Sequence, residues 1–247
     1  MKILITGGHH NSALVIATAL ANQGHDIVWI GHRRTMIADP HDSLEYQEVS
    51  LSFPFINTWA GKFHPRAHPL HWFKLPLGFF QAIYLTWKIQ PQLVLAFGGY
   101  ISVPVALVSR LFNIPVIAFE QTAAIGRANE IISRFSKINF LAWDTSAPYF
   151  PPATSQVVGL PISRELSTSA PPRYFTSHKP TLLVTGGKQG AHAINQVIFK
   201  LLPQLLRHYN VIHQTGASVA TGDWQQAKTL TQPFYLPRAH FSATDMI

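Results

Sequence analysis

Short apolar runs alternate along the chain with longer stretches in which apolar residues return every three or four positions. The first run, Lys2-Ile3-Leu4-Ile5-Thr6, enters Gly7-Gly8-His9-His10, and apolar positions at helical spacing follow over residues 13–20. A β-branched run, a glycine turn and a 3.6-residue period together predict strand, tight turn and helix. The same succession returns at Gln92-Leu93-Val94-Leu95-Ala96-Phe97, which leads into Gly98-Gly99-Tyr100 and a helical pattern through Leu111. It appears a third time at Thr181-Leu182-Leu183-Val184-Thr185, followed by Gly186-Gly187-Lys188-Gln189-Gly190 and by Ala191, Ile194, Val197, Ile198, Leu201 and Leu202 at helical spacing.

Elsewhere the pattern predicts strands at 26–30, 46–49, 116–119, 138–142 and 156–158, and helices at about 77–87 and 126–135. Most of 35–52 reads as loop. Beyond the third glycine turn it predicts strands at 210–213 and 234–236, a helix at 223–230, and the start of another helix at 242–247. Strands and helices alternating in this way build doubly wound parallel sheets. Residues 148–154 are proline-rich, and the Ser, Thr and Pro content of 167–180 marks a linker. The expected organisation is therefore an α/β chain with a first domain at 1–165, a linker at 166–180 and a second, incomplete domain at 181–247.

Composition narrows the class. A chain of 247 residues with 47% hydrophobic content can bury a sizeable core. With no cysteine there is neither a disulfide framework nor a thiolate zinc site, so the cytoplasm is the default location. Met1-Lys2 runs straight into a strand, without the apolar core of a signal peptide.

Charged residues make up only 12% of the chain, yet the net charge is +8. Such a balance suits an anionic partner, whether lipid surface, nucleic acid or phosphorylated substrate. Between residues 59 and 88 basic and bulky side chains are mixed: Lys62, Arg66, Trp72, Phe73, Lys74, Phe79, Phe80, Trp87 and Lys88. The apolar run there is too short to cross a bilayer. A helix from about Leu77 could lie on a membrane surface with its rings at headgroup level, or turn the same residues into the core.

The glycine turns carry the chemistry. Glycines let the backbone approach a ligand closely, and the free N–H groups of a helix start favour anions, so a phosphate suits such a turn. A nicotinamide-dependent oxidoreductase would want G-x-G-x-x-G after the first strand and an acidic residue ending the second. Gly7-Gly8-His9-His10-Asn11-Ser12 and Gly31-His32-Arg33 offer neither. No nucleic-acid-binding module is recognisable, so nucleic acid is not an expected partner.

Taken in order, the motifs resemble the MurG family, UDP-N-acetylglucosamine transferases that glycosylate the lipid-linked peptidoglycan precursor. The resemblance rests on Gly7-Gly8-His9; Phe97-Gly98-Gly99-Tyr100-Ile101-Ser102-Val103-Pro104; Glu120-Gln121 with Gly126 and Asn129; Val158-Gly159-Leu160-Pro161; Gly186-Gly187-Lys188-Gln189-Gly190-Ala191 with Asn195; and His213-Gln214-Thr215-Gly216. It implies two Rossmann-like domains of the GT-B glycosyltransferase type, with the nucleotide sugar in the second and the lipid acceptor at the first. The implied partners are UDP-GlcNAc, an undecaprenyl-diphosphate-linked muramyl peptide and the inner leaflet of the cytoplasmic membrane, where the protein would be peripheral.

The implied reaction is an inverting transfer in which helix N-termini and backbone N–H groups, with no metal or other cofactor, stabilise the departing diphosphate. His9 is then the expected base, since an imidazole titrating near neutrality suits the task; Glu120 would assist it or orient the acceptor. His10 has no clear family counterpart. Acceptor-side candidates are Gly8, Gly99, Tyr100, Ser102, Gln121 and Asn129. Donor-side candidates are Arg164, Gly187, Lys188, Gln189, Gly190, His213 and Gln214. Asn11-Ser12, Phe119, Thr122 and Lys188 depart from the family's usual residues. The family's second domain continues further, so the chain could be a fragment, a partner chain could supply the rest as in a split glycosyltransferase, or the chain could be a non-catalytic membrane-docking subunit.

Overall fold

The computed structural model describes residues 1–8, 10–34, 42–59, 74–162, 174–187, 190–218 and 220–241, with Lys74 and Leu75 described by backbone alone. The chain divides into two compact units, Met1–Ile162 and Ser163–Ile247.

In the first unit β1 (Lys2–Thr6), α1 (His10–Asn22), β2 (Asp26–Gly31), α2 (Leu44–Val49), β3 (Phe55–Asn57) and α3 (Lys74–Ile89) are followed by β4 (Leu93–Ala96), α4 (Ser102–Leu111) and β5 (Val116–Glu120). After α5 (Arg127–Ser133) and β6 (Ile138–Leu141), two 3₁₀ turns at Asp144–Tyr149 and Pro152–Thr154 precede β7 (Ser155–Val157). Every pairing is parallel, in the order β3-β2-β1-β4-β5-β6-β7.

A parallel sheet is covered on both faces, which explains the near-continuous apolar character of its central strands. On β1, Leu4 joins one core with Val94, Ala96 and Ala118, lidded by Ala82 and Leu85 of α3 and Val105 and Val108 of α4. Its neighbours Ile3 and Ile5 face the opposite core with Trp29, Leu95 and Phe97, lidded by Ala13 and Ala17 of α1. The alternation along one strand thus fills both layers.

One sequence expectation is corrected here. Residues 46–49, expected as a strand, lie in α2, and the third strand is β3 instead. The reason is local: Ser43 caps the helix, its hydroxyl accepting from the Tyr46 backbone N–H at 3.1 Å. The helix expected from about Leu77 begins earlier, at Lys74. Pro76 falls in its first turn, where a missing N–H costs no helical bond.

In the second unit β8 (Thr181–Thr185), α6 (His192–His208), β9 (Asn210–Gln214), α7 (Asp223–Thr229) and β10 (Tyr235–Arg238) form a parallel sheet in the order β10-β9-β8. Leu202, Val211 and Tyr235 make its core, with Leu205, Leu206 and Leu230 packed on them. The helix expected at 242–247 and much of the expected linker lie outside the described residues.

Candidate active site

The strand order of the first unit reverses between β1 and β4, the position where open α/β sheets hold ligands. The turns after those two strands meet there. The Gly8 N–H donates to the Gly98 carbonyl at 3.1 Å. A Cβ on Gly7 would stand 2.8 Å from Phe97, and one on Gly99, where φ is +77°, would stand 3.0 Å from the Gly8 nitrogen. Only glycine meets both the space and the backbone angle.

Around this pair the acceptor-side candidates converge with different roles. Tyr100 stands at the edge, 37% exposed, with its ring 5.4 Å from that of His32. Burial pushes its phenol above the ordinary range, and the Glu45 carboxylate adds to the shift. Ser102 braces the turn. It is fully buried, and its hydroxyl lies 2.9 and 2.7 Å from the Gly98 and Gly99 carbonyls of its own turn.

Glu120 stands at the end of β5. It is 3% exposed; one carboxylate oxygen accepts from the Thr122 N–H and hydroxyl. The other accepts from the Gly126 N–H at 3.2 Å and the Asn129 amide at 2.9 Å. The carboxylate holds the 121–126 loop to the start of α5. Asn129, also buried, spends its amide on Glu120 and the Phe119 carbonyl. Gln121 accepts from the Ser12 hydroxyl at 3.1 Å, tying the loop to α1.

Two carboxylates here escaped the sequence reading. His10, the first residue of α1, places Nε2 3.0 Å from Glu48 of α2. Glu45 is buried and accepts from the Trp29 indole at 2.8 Å. Burial raises its pKa despite that bond. Gly31 makes the room, since a Cβ there would stand 2.7 Å from the Phe55 ring and against Glu45. No spacing in the sequence links residues 29, 31 and 45. His9 lies outside the described residues.

In the second unit the glycine turn follows β8. Gly187 and Gly190 take positive φ, +78° and +76°, and a Cβ on Gly190 would collide with the Thr215 carbonyl. Gln214 clamps the turn: its amide donates to the Gly187 carbonyl at 2.8 Å, and its oxygen accepts from the Phe241 N–H at 3.0 Å. Lys188, Gln189 and Arg164 lie outside the described residues.

His213 stands on β9. It is wholly buried, with Nδ1 3.0 Å from the Tyr235 hydroxyl and Nε2 3.0 Å from Asn195 Oδ1. Burial lowers its pKa to about 4, against a small opposing pull from Asp223, so it is neutral at pH 7. Asp223 and His192, neither singled out by the sequence, pair at 2.8 Å. Among the described residues no three His, Asp or Glu side chains converge as a metal site.

Of the basic aromatic stretch, α3 presents Phe80 and Trp87, 67% and 63% exposed, together with Leu77 and Tyr84 one helical face along. Lys88 is exposed, with Nζ 5.7 Å from the Tyr84 ring centroid. Phe79 differs: it packs against the first core. Lys62, Arg66, Trp72 and Phe73, and the Lys74 side chain, are outside the described residues. No described helix is long and apolar enough to cross a membrane.

The chain matches two family descriptions, the glycosyltransferase family 28 N-terminal domain over residues 6–140 and the corresponding C-terminal domain over 181–239. It is 32% identical over 219 residues to a UDP-N-acetylglucosamine--N-acetylmuramyl-(pentapeptide) pyrophosphoryl-undecaprenol N-acetylglucosamine transferase of Histophilus somni, covering 86% of this chain and 58% of that one. A Pasteurella multocida protein of the same name is 32% identical over 249 residues, covering 98% of this chain and 64% of the relative. The chain thus spans about three fifths of the length of these curated relatives.

Among solved structures, Acinetobacter baumannii MurG superposes with a TM-score of 0.63 at 23% identity, covering 98% of this chain and 67% of that one. A UDP-GlcNAc 2-epimerase from Neisseria meningitidis gives the same TM-score at 12% identity, covering 99% and 74%. These structures share the GT-B fold with it, here with a small second domain. The interlocked glycine turns, the all-parallel sheets and the two matched domains together assign this chain to glycosyltransferase family 28.

Proposed function

We propose that the chain transfers N-acetylglucosamine from UDP-GlcNAc to an undecaprenyl-diphosphate-linked muramyl peptide in peptidoglycan synthesis, at the cytoplasmic face of the membrane. The observation that carries this reading is the likeness, over 98% of the chain, to a transferase named for that donor and acceptor. The two sets of left-handed glycines, each opening a helix, support it as backbone cradles for phosphate.

In the reaction an acceptor hydroxyl attacks the anomeric carbon as the bond to the β-phosphate oxygen breaks. The electron pair leaves with UDP, configuration inverts, and the hydroxyl proton passes to the His9 imidazole. Gly8, Gly99 and Tyr100 border the acceptor, while the 186–190 turn, with Lys188 and Gln189, holds the diphosphate; Arg164 is a further donor-side contact. The exposed face of α3 rests on anionic lipid and brings the acceptor within reach, and the basic and aromatic residues that precede it in the sequence suit the same surface.

The test is transfer of radiolabelled GlcNAc to a lipid-linked acceptor, by the chain alone and with the C-terminal part of the Pasteurella relative added. Label should appear in lipid product and fall by at least about a hundredfold in His9→Ala, the range expected for loss of a general base. A docking subunit would leave the His9→Ala signal equal to wild type, and that result would sink the enzymatic reading.

A further inference from the structure

We propose that Glu48 and Gln121 are positioning residues for the transfer: through His10 and Ser12 they fix the first turn of α1, which directly follows the expected base in the chain. The inference rests on reading His9 as that base.

His10 has no clear family counterpart and Ser12 departs from the family's usual residue, yet each ties α1 to another element. His10 Nε2 lies 3.0 Å from a Glu48 oxygen, and the Ser12 hydroxyl donates to the Gln121 side-chain oxygen at 3.1 Å. A carboxylate accepts, so Nε2 carries the hydrogen. Both ties are sheltered: the His10 and Glu48 side chains are 15% and 30% exposed, and Ser12 is buried. At 3.6 residues per turn, positions 10 and 12 lie about 200° apart around the helix axis. Ties on two sides oppose both sliding and rotation of the helix start, while Ala13 and Ala17 seat it on the core that holds Ile5 and Trp29.

Each acceptor is itself held. On α2, which carries Glu48, Glu45 accepts from the Trp29 indole of β2 at 2.8 Å and Ser43 donates its hydroxyl to the His32 carbonyl at 2.7 Å. Val49, next to Glu48, is fully buried. Gln121 stands between Glu120 and Thr122, which are bound to each other, and its own carbonyl accepts from the Trp143 indole at 2.9 Å. Both supports are therefore fixed to the sheet, as precise placement of a site requires.

The ties fall beside the chemistry. Before position 9 in the chain, the Gly8 N–H is bound to the Gly98 carbonyl at 3.1 Å. After it, His10 is bound to Glu48. The chain is thus held on either side of the one residue expected to take the hydroxyl proton, and a displacement of about 1 Å in such a group can cost on the order of a hundredfold in rate.

The test is the label-transfer assay, in the mixture where wild type is active, with Glu48→Ala and Ser12→Ala and their conservative partners Glu48→Gln and Ser12→Thr. Ser12→Ala cuts the second tie without altering Gln121, itself an acceptor-side candidate. Each alanine variant should lower kcat about tenfold and leave the KM for UDP-GlcNAc within about twofold, since the ties lie on the acceptor side. The conservative variants keep an acceptor or a hydroxyl and should recover most of the loss. In a His9→Ala background, Glu48→Ala should cost nothing further, because a support matters only while the group it positions is present.

Wild-type kcat in one alanine variant removes that tie from the support, and in both overturns the proposal while His9 stands as the base. An equal fall with and without His9 makes the ties structural and also ends it. His9→Ala equal to wild type, or no transfer by wild type in either mixture, overturns the reading of His9 and this inference together.

Discussion

A Cβ on Gly99 would stand 3.0 Å from the backbone nitrogen of Gly8, whose N–H is itself bound to the Gly98 carbonyl at 3.1 Å. Two turns separated by some ninety residues thus share one packing contact at the sheet's switch point. Gly99 also holds φ at +77°. Gly99→Ala should therefore destabilise the first unit by about 1–3 kcal/mol, read as a lower urea midpoint. An unchanged midpoint would show that the turns do not interlock.

Glu120→Ala removes the acceptor for the Thr122 and Gly126 N–H groups and the Asn129 amide together. Orphaned buried donors are expensive, and the expected loss is about 2–4 kcal/mol. Chemical denaturation measures it. If the midpoint holds while transfer disappears, Glu120 belongs to the chemistry and its bracing role is refuted.

His213 makes the second unit acid-sensitive. Its folded pKa of about 4 lies below the ordinary value, so the unfolded chain binds a proton that the folded chain refuses. Stability is intact above about pH 6.5 and falls as pH drops toward 4, by up to about 3 kcal/mol. Asp223, held low, contributes in the same direction: its stabilisation is present above the ordinary carboxylate pKa and lost as pH falls through the folded one. Trp224 fluorescence in urea at pH 7, 6, 5 and 4 should report the decline, and His213→Gln should flatten the part between pH 6.5 and 4.

The exposed face of α3 predicts a binding defect without a folding defect. Replacing Phe80 and Trp87 together by Glu should cut sedimentation with anionic phospholipid vesicles at least about tenfold, since burying either ring accounts for 1.5 kcal/mol or more. Both side chains are mostly exposed, so stability should move by under about 0.5 kcal/mol. Binding equal to wild type would remove the membrane from the proposed function.

Much of the site's scaffold was legible because its signals are short-range. The glycine turns stand out since a tight βα turn needs positive φ, and Gly98, Gly99, Gly187 and Gly190 all adopt it. The roles of the polar residues were not legible. Nothing in their spacing shows that Ser102, Glu120 and Gln214 each hold a turn or loop, or that His213 joins Asn195 to Tyr235. The misread segment 46–49 shows the same limit on a small scale, where one cap at Ser43 turned a possible strand into a helix.

The α/β alternation, the glycine turns and the family could be read from the chain alone, because periodicity and backbone angle are properties of neighbouring residues. Tertiary structure alone decided which side chains meet. Trp29 reaches Glu45, and His192 reaches Asp223 across 31 positions, because parallel pairing aligns the ends of strands far apart in the chain. Surroundings then bias the carboxylates in opposite directions, burial raising Glu45 and the bonds from neighbouring donors lowering Asp223, and those surroundings are assembled only once the sheets close.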